Sequence, residues 1–267
     1  MGAAQAGLLG AVVQLLRLAL AFLLAAGASI GAAQQSSPYE PTFGQQGKDV
    51  VWVPTVPALV EKMLDIAQVG PQDVVFDLGS GDGRTVIAAA RRGARAVGIE
   101  YDGNMVALSR RNAAQEGVAG RATFAQADLF KTDLSPATVI TMFLLPTINM
   151  KLRPTLLGLK PRTRIVSNTF TMDKWQPDDS AVLDQDTGCA NWCTALLWIV
   201  PAQVAGHHVL PHGELELKQE FQVLSGTLRQ NGVTYVLEGR VRGEALAFRA
   251  GGREYRGRVN GKTIELR

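Results

Sequence analysis

The sequence predicts an α/β protein: a doubly wound, Rossmann-like parallel sheet, preceded by an N-terminal hydrophobic segment and followed by a small C-terminal antiparallel β module. Three observations predict it. Residues 74–84 read Val-Val-Phe-Asp-Leu-Gly-Ser-Gly-Asp-Gly-Arg, an apolar strand that turns through small residues into a helical pattern. Apolar strand-like runs then alternate with helical ones as far as Val200. From Leu215 the pattern changes to short strand-like runs separated by Asn231-Gly232, Arg242-Gly243, Gly251-Gly252 and Asn260-Gly261, the turn signals of an antiparallel meander.

The glycine turn discriminates between ligands. A dinucleotide fingerprint would need glycine at position 84, which holds Arg84. Instead, Asp77 precedes Gly79, Ser80, Gly81, Asp82 and Gly83. This arrangement resembles the S-adenosylmethionine (SAM) sites of class I methyltransferases, and the resemblance implies their seven-stranded fold and that cofactor. The next strand, residues 94–100, ends in Glu100. Parallel strands joined by right-handed crossovers bring their ends to one sheet edge. A carboxylate about 20 residues past the turn can there accept from ribose hydroxyls. Tyr101 beside it is a wall for the adenine. A third strand, residues 121–130, ends in Asp128-Leu129-Phe130; in the resembled family this acid meets the adenine amino group and apolar neighbours sandwich the ring.

The flanking elements follow in order. Residues 7–33 are almost wholly apolar, broken by Gln14 and Arg17. They read as a secretory signal peptide or as an uncleaved membrane anchor. Export or membrane association follows from either, and the side of the membrane stays open. Residues 34–50, rich in Gln, Ser, Pro and Gly, read as a linker. A methyltransferase domain then spans residues 51–201. Its first helix carries Leu59, Val60, Met63, Leu64 and Ala67 on one face. Residues 104–116 form another helix. Residues 137–145 are the continuous apolar run of a central strand buried on both faces, ended by Pro146. A helix over 150–159 and a strand over 164–168 complete the alternation.

Residues 202–267 form the β-rich module. Leu215, Leu217, Phe221, Val223, Tyr235, Leu237, Leu246, Phe248, Tyr255, Val259 and Ile264 are its expected core. About 60 residues are marginal alone, so the module is expected to dock on the larger sheet. Its role stays open between structural extension and recognition. His207, His208 and His212 lack cysteine or acidic partners at ligand spacing, so no metal is expected. Cys189 and Cys193, placed on one strand, would stand about 13 Å apart. A disulfide needs about 7 Å or less, so free thiols are expected. With a net charge of +3 and no arginine-rich run with interleaved aromatics, no nucleic-acid partner is expected.

The order Val-Pro-Thr-x-Pro, Asp-Leu-Gly-Ser-Gly-Asp-Gly-Arg, Asp-Leu-Phe-x-x-Asp-Leu and Thr-Val-Ile-Thr-Met-Phe-Leu-Leu-Pro is similar to a narrower group over residues 52–175. That group holds the mitochondrial lysine methyltransferases acting on the ATP synthase c-subunit and the adenine nucleotide translocase, with bacterial relatives. The resemblance implies lysine N-methylation of a protein partner, including membrane proteins. A small-molecule methyltransferase and an exported, non-catalytic binding protein are the alternatives. The fourth strand ends in Phe143-Leu144-Leu145-Pro146, unlike the Asn-Pro-Pro-Tyr tetrad used on planar nitrogens. Thr55, Leu145, Pro146, Asn168 and Trp175 are the candidates for the acceptor side; no residue stands out as catalytic.

Overall fold

The strand–turn–helix predicted around residue 80 is the centre of the molecule. The computed structural model describes residues 39–184, 187–211 and 213–267. The signal or anchor segment 7–33, residues 34–38 of the expected linker, and His212 lie outside the described residues. β1 (Val74–Leu78) lies between β2 (Arg95–Glu100) and β4 (Val139–Met142) in a seven-stranded sheet that also holds β3 (Ala122–Gln126), β5 (Arg164–Asn168), β6 (Asp179–Val182) and β7 (Thr194–Ile199). The order is β3-β2-β1-β4-β5-β7-β6. The first five strands are parallel, and β7 runs antiparallel to both β5 and β6. All four residues of β4 are buried, as a central parallel strand covered on both faces requires.

Among the described residues four helices pack with the sheet: α1 (Pro57–Ile66), α2 (Arg84–Arg91), α3 (Gly103–Gln115) and α4 (Pro146–Leu157). In α2, six consecutive residues are buried, Thr85 to Ala90; the alanines let the helix lie close to the sheet. Asp102 caps α3 by accepting from the Asn104 N–H at 2.8 Å. Pro146 does not end β4, which stops at Met142; it opens α4, where its fixed φ and missing N–H are no cost. The helix therefore begins four residues earlier than the pattern predicts.

The second sheet is a seven-stranded meander: β8 (Gly206–Leu210), β9 (Gly213–Glu220), β10 (Val223–Gln230), β11 (Val233–Arg242), β12 (Ala245–Ala250), β13 (Arg253–Asn260) and β14 (Thr263–Leu266). Asn231-Gly232 and Gly251-Gly252 turn with positive φ at both positions, as two-residue hairpins require. Leu215, Leu217, Leu237, Leu246, Phe248, Val259 and Ile264 are buried in its core as expected, with Tyr235 and Tyr255 packed at the margin. Phe221 and Val223 are corrections. A tight turn at Phe221-Gln222 pairs Glu220 with Val223. Directly paired residues share a face, so Val223 points out, 50% exposed.

Phe221 leaves the module altogether. Its ring stacks on Trp175, in the connection between β5 and β6, 6.2 Å between centroids, and the Gln222 side-chain amide donates to the Gln176 carbonyl at 2.6 Å. Arg240 pairs with Asp178 at 3.6 Å, and the Ala202 N–H donates to the Gly243 carbonyl at 2.7 Å. The module is docked, and residues 39–267 form one compact unit. Among the described residues no helix is long and apolar enough to cross a membrane.

Candidate active site

The cleft opens at the carboxyl ends of β1, β2 and β4, the edge where doubly wound sheets bind ligands. The glycine turn forms its floor. Gly79 and Ser80 donate to the Ile99 carbonyl, at 2.9 and 3.1 Å. Gly79 has φ +75° and a Cβ there would stand 3.0 Å from Leu144; Gly81 has φ +55° and a Cβ would stand 2.8 Å from Trp52 Nε1. Both positions exclude side chains by conformation and by space.

Glu100 is fixed by the main chain. Oε2 accepts from Gly81 N–H at 2.9 Å, and Oε1 from Tyr101 and Asp102 N–H at 2.7 and 3.0 Å. A carboxylate offers about four lone-pair positions, so roughly one is left for a ligand hydroxyl. Asp128 sits two residues past β3, beside Leu129, on the same cleft wall as Tyr101 and Met105. The Phe130 N–H, then the Lys48 ammonium, hold its carboxyl below the usual range.

At the other end, Asp77 is buried and accepts from Thr141 Oγ1 at 2.6 Å. Burial pushes its carboxyl up to about 7, opposed by that hydrogen bond and assisted by the nearby charges of Glu100 and Asp82. Asp82 turns aside to Arg84, which reaches it through Nε and Nη2 at 3.0 and 2.6 Å. Arg84 Nη1 also donates to the Thr55 carbonyl at 2.8 Å. Ser80 Oγ is buried without a hydrogen-bond partner.

The segment read as a linker is part of the site. Gln46 bridges to Val51, the Gly44 N–H donates to the Trp52 carbonyl, and the Trp52 N–H donates to the Gln45 carbonyl. This places residues 45–53 along the cleft. Lys48 Nζ lies 3.1 Å from Asp128 and 4.5 Å from the centre of the Tyr101 ring. Composition alone hid this, because Gln and Gly suit a tight turn as well as a tether; the signals that could have found it are Gly44, Gly47 and Trp52.

The expected acceptor residues divide. Thr55 lines the Asp77 end of the cleft, the end expected to take the methionine of the cofactor, and Asn168, buried, donates through Nδ2 to Thr55 Oγ1 at 3.3 Å. Leu145 is exposed on a neighbouring apolar recess. Pro146 lines none of the three cavities at the cleft. Trp175 is a correction: it is fully buried between Trp198 and Phe221, and its carbonyl accepts from Trp198 Nε1 at 2.8 Å. It packs the docked module and does not reach the cleft. Phe143, Phe170 and Trp192 stand by the cleft instead.

The cysteines are a second correction. Cys189 and Cys193 form a disulfide with their Cα atoms 5.8 Å apart. The strand β7 starts only at Thr194, and Trp192, at φ +56°, folds the chain back. The extended spacing expected of a strand therefore does not apply. Among the described residues no group of three or more His, Cys, Asp or Glu gathers as a metal site.

Residues 77–179 match the family model described as the ANTKMT methyltransferase domain. The chain is 40% identical over 154 residues to a protein-lysine N-methyltransferase of Saccharolobus islandicus, covering 57% of this chain and 94% of that protein. The chain belongs to the ANTKMT methyltransferase family. It is 35% identical over 131 residues to the ATP synthase c-subunit lysine N-methyltransferase of Homo sapiens, 48% of this chain and 56% of that one. A solved structure, described as an RNA methyltransferase from Salinibacter ruber bound to S-adenosyl-L-homocysteine, is 47% identical, with a TM-score of 0.53; it covers 57% of this chain and 96% of that one. This ANTKMT-family chain is thus a SAM-dependent enzyme of the class I fold. Its own chemistry fits the cofactor: side-chain-free glycines on the cleft floor, Glu100 and Asp128 at adjacent strand ends, and an unpartnered Ser80 hydroxyl beside buried Asp77.

Proposed function

We propose that the chain methylates the side-chain amine of lysine in a partner protein, and that this partner is a membrane protein. The match to the Saccharolobus islandicus lysine methyltransferase over 94% of its length carries the reading. SAM supplies an electrophilic methyl on a positively charged sulfonium. The lysine nitrogen lone pair forms the new N–C bond as the S–C bond breaks, its electron pair staying on sulfur. The ammonium proton leaves to water.

The chain's residues contribute alignment and charge. Glu100 and Asp128 hold negative charge along the cleft, and Asp77 adds its own once its raised carboxyl ionises. Phe143 after β4 and Phe170 after β5 remove water from the incoming amine, which favours its neutral, nucleophilic form. The proposed cofactor contacts are Asp77, Gly79, Ser80, Gly81, Glu100, Tyr101, Asp128 and Leu129; Asp82 acts through Arg84.

The domain division proposed here is a methyltransferase body to residue 201 and the docked β module after it. Membrane association through residues 7–33 is supported by their apolar composition. The Cys189–Cys193 disulfide supports an oxidising compartment.

The test is transfer of tritiated methyl from SAM into separated membrane proteins, soluble proteins and RNA of the source cell. Protease-sensitive label in the membrane fraction, recovered as methyl-lysine, is the expected result. Label in RNA, the substrate class in the description of the Salinibacter ruber structure, would overturn it.

A further inference from the structure

Three aromatic rings meet beside the methionine end of the cleft. Phe143, immediately after β4, lines both that end and the adjoining apolar recess. Phe170 follows β5 and stacks on Phe143, 5.9 Å between centroids at 18°. Trp192, in the disulfide loop before β7, tilts against Phe143 at 5.8 Å and 60°. It is 40% exposed, so part of its ring remains open. Val51 and Val53 of the 45–53 segment complete the recess.

Trp192 is held there against its intrinsic preference. A φ of +56° is costly for a bulky side chain. The Cys189–Cys193 bond closes a five-residue ring around it. On the far side of that ring, the Cys193 carbonyl accepts from Leu183 N–H at 2.9 Å, and the Thr194 carbonyl accepts from Thr169 N–H at 2.7 Å. The loop is thereby tied to the ends of both β5 and β6.

We propose that this recess is the acceptor channel and that the disulfide positions Trp192 as its outer wall. This rests on the lysine reading above. A lysine carries a four-carbon stem ending in a cation, and the recess offers apolar walls for the stem and the part-exposed Trp192 ring for the cation. Continuity through Phe143 leads the amine from the recess to the methionine end. The same rings receive the mono- and dimethylated products, so the channel accommodates successive transfers. Phe143, Phe170 and Trp192 are specificity-determining residues; Cys189 and Cys193 are positioning residues.

The test uses the full chain with S-adenosylhomocysteine and n-butyltrimethylammonium, a mimic of the trimethylated side chain. Saturable quenching of tryptophan fluorescence is expected. Trp192→Ala is expected to abolish it and Trp192→Phe to retain binding, measured by competition. Cys189→Ser/Cys193→Ser is expected to weaken binding at least fivefold. S-adenosylhomocysteine affinity should be unchanged in each, which shows that the variants fold. No saturable quench in the wild type, or one that persists in Trp192→Ala, overturns the channel.

A second arm follows tritium transfer from SAM to poly-L-lysine. Transfer whose KM rises at least fivefold in Trp192→Ala, with kcat little changed, supports the channel. Transfer with an unmoved KM overturns it and leaves the lysine reading intact. A saturable quench without transfer supports the channel and counts against the lysine reading.

Discussion

At the scale of single residues the site is a set of negative charges in unequal surroundings. Glu100 is rigidly aimed by three main-chain donors. Glu100→Ala is therefore expected to weaken SAM binding tenfold or more, about 1.4 kcal/mol, by calorimetric titration. Asp77 behaves differently, because burial raises its carboxyl from an ordinary 3.8 to about 7. A raised acid contributes stability below its unfolded value and loses it as the pH climbs through its folded one. Ligand-free protein should thus lose part of its melting temperature between pH 4 and about 7. Asp77→Asn should remove that slope in a thermal scan across pH. The ionised form above pH 7 offsets the positive charge of SAM and the neutral form below does not. SAM affinity should accordingly rise with pH through that value, and flatten in Asp77→Asn. These residues are legible in the sequence because the strand end, the glycine turn and the next strand end are local features with fixed chemistry.

At the scale of elements, long-range pairing decided what local pattern could not. The strands β1, β4 and β5 announce themselves by apolar runs, and Pro146 marks a helix start as readily as a strand stop. The 39–53 segment has no periodicity to read; its place on the cleft comes from the Gln46–Val51 bridge and from Lys48 meeting Asp128, 80 positions away. The disulfide loop is another such case, since one left-handed residue, Trp192, shortens the Cys189–Cys193 separation to 5.8 Å. Iodoacetamide added to the unfolded protein should label neither cysteine until a reductant is present, as read by intact mass. Labelling of both without reductant would remove the cross-link and the wall it holds.

For the whole molecule, the decisive contact is Trp175 between the two sheets. The packing on Trp198 sets it in the core of the first sheet, and the stack on Phe221 brings the module's turn onto that core. Trp175→Ala should cost roughly 3–5 kcal/mol, measured by urea unfolding. The described unit, residues 39–267, should melt in one calorimetric transition, and removing residues 202–267 should expose Trp175 and lower the melting temperature. A truncated chain as stable as the full one would mean that the module merely accompanies the methyltransferase body. Sequence spacing alone puts Trp175 on the acceptor side, because it follows β5 at a distance suited to the cleft. Nothing in sequence shows that an aromatic turn 46 residues later covers it.

By itself the sequence determined the α/β sheet, the SAM end of the cleft, the family and the turns of the β meander. Each rests on interactions between near neighbours: a strand's alternation, a glycine's φ, a carboxylate at a strand end. Only the tertiary structure decided the docking of the module, the placing of residues 45–53 along the cleft and the disulfide. These depend on which distant segments meet, and on single backbone conformations, at Trp192 and Phe221, that reverse the direction of the chain. Side-chain chemistry is carried by composition, but the partner of each side chain is set by the closure of the whole fold.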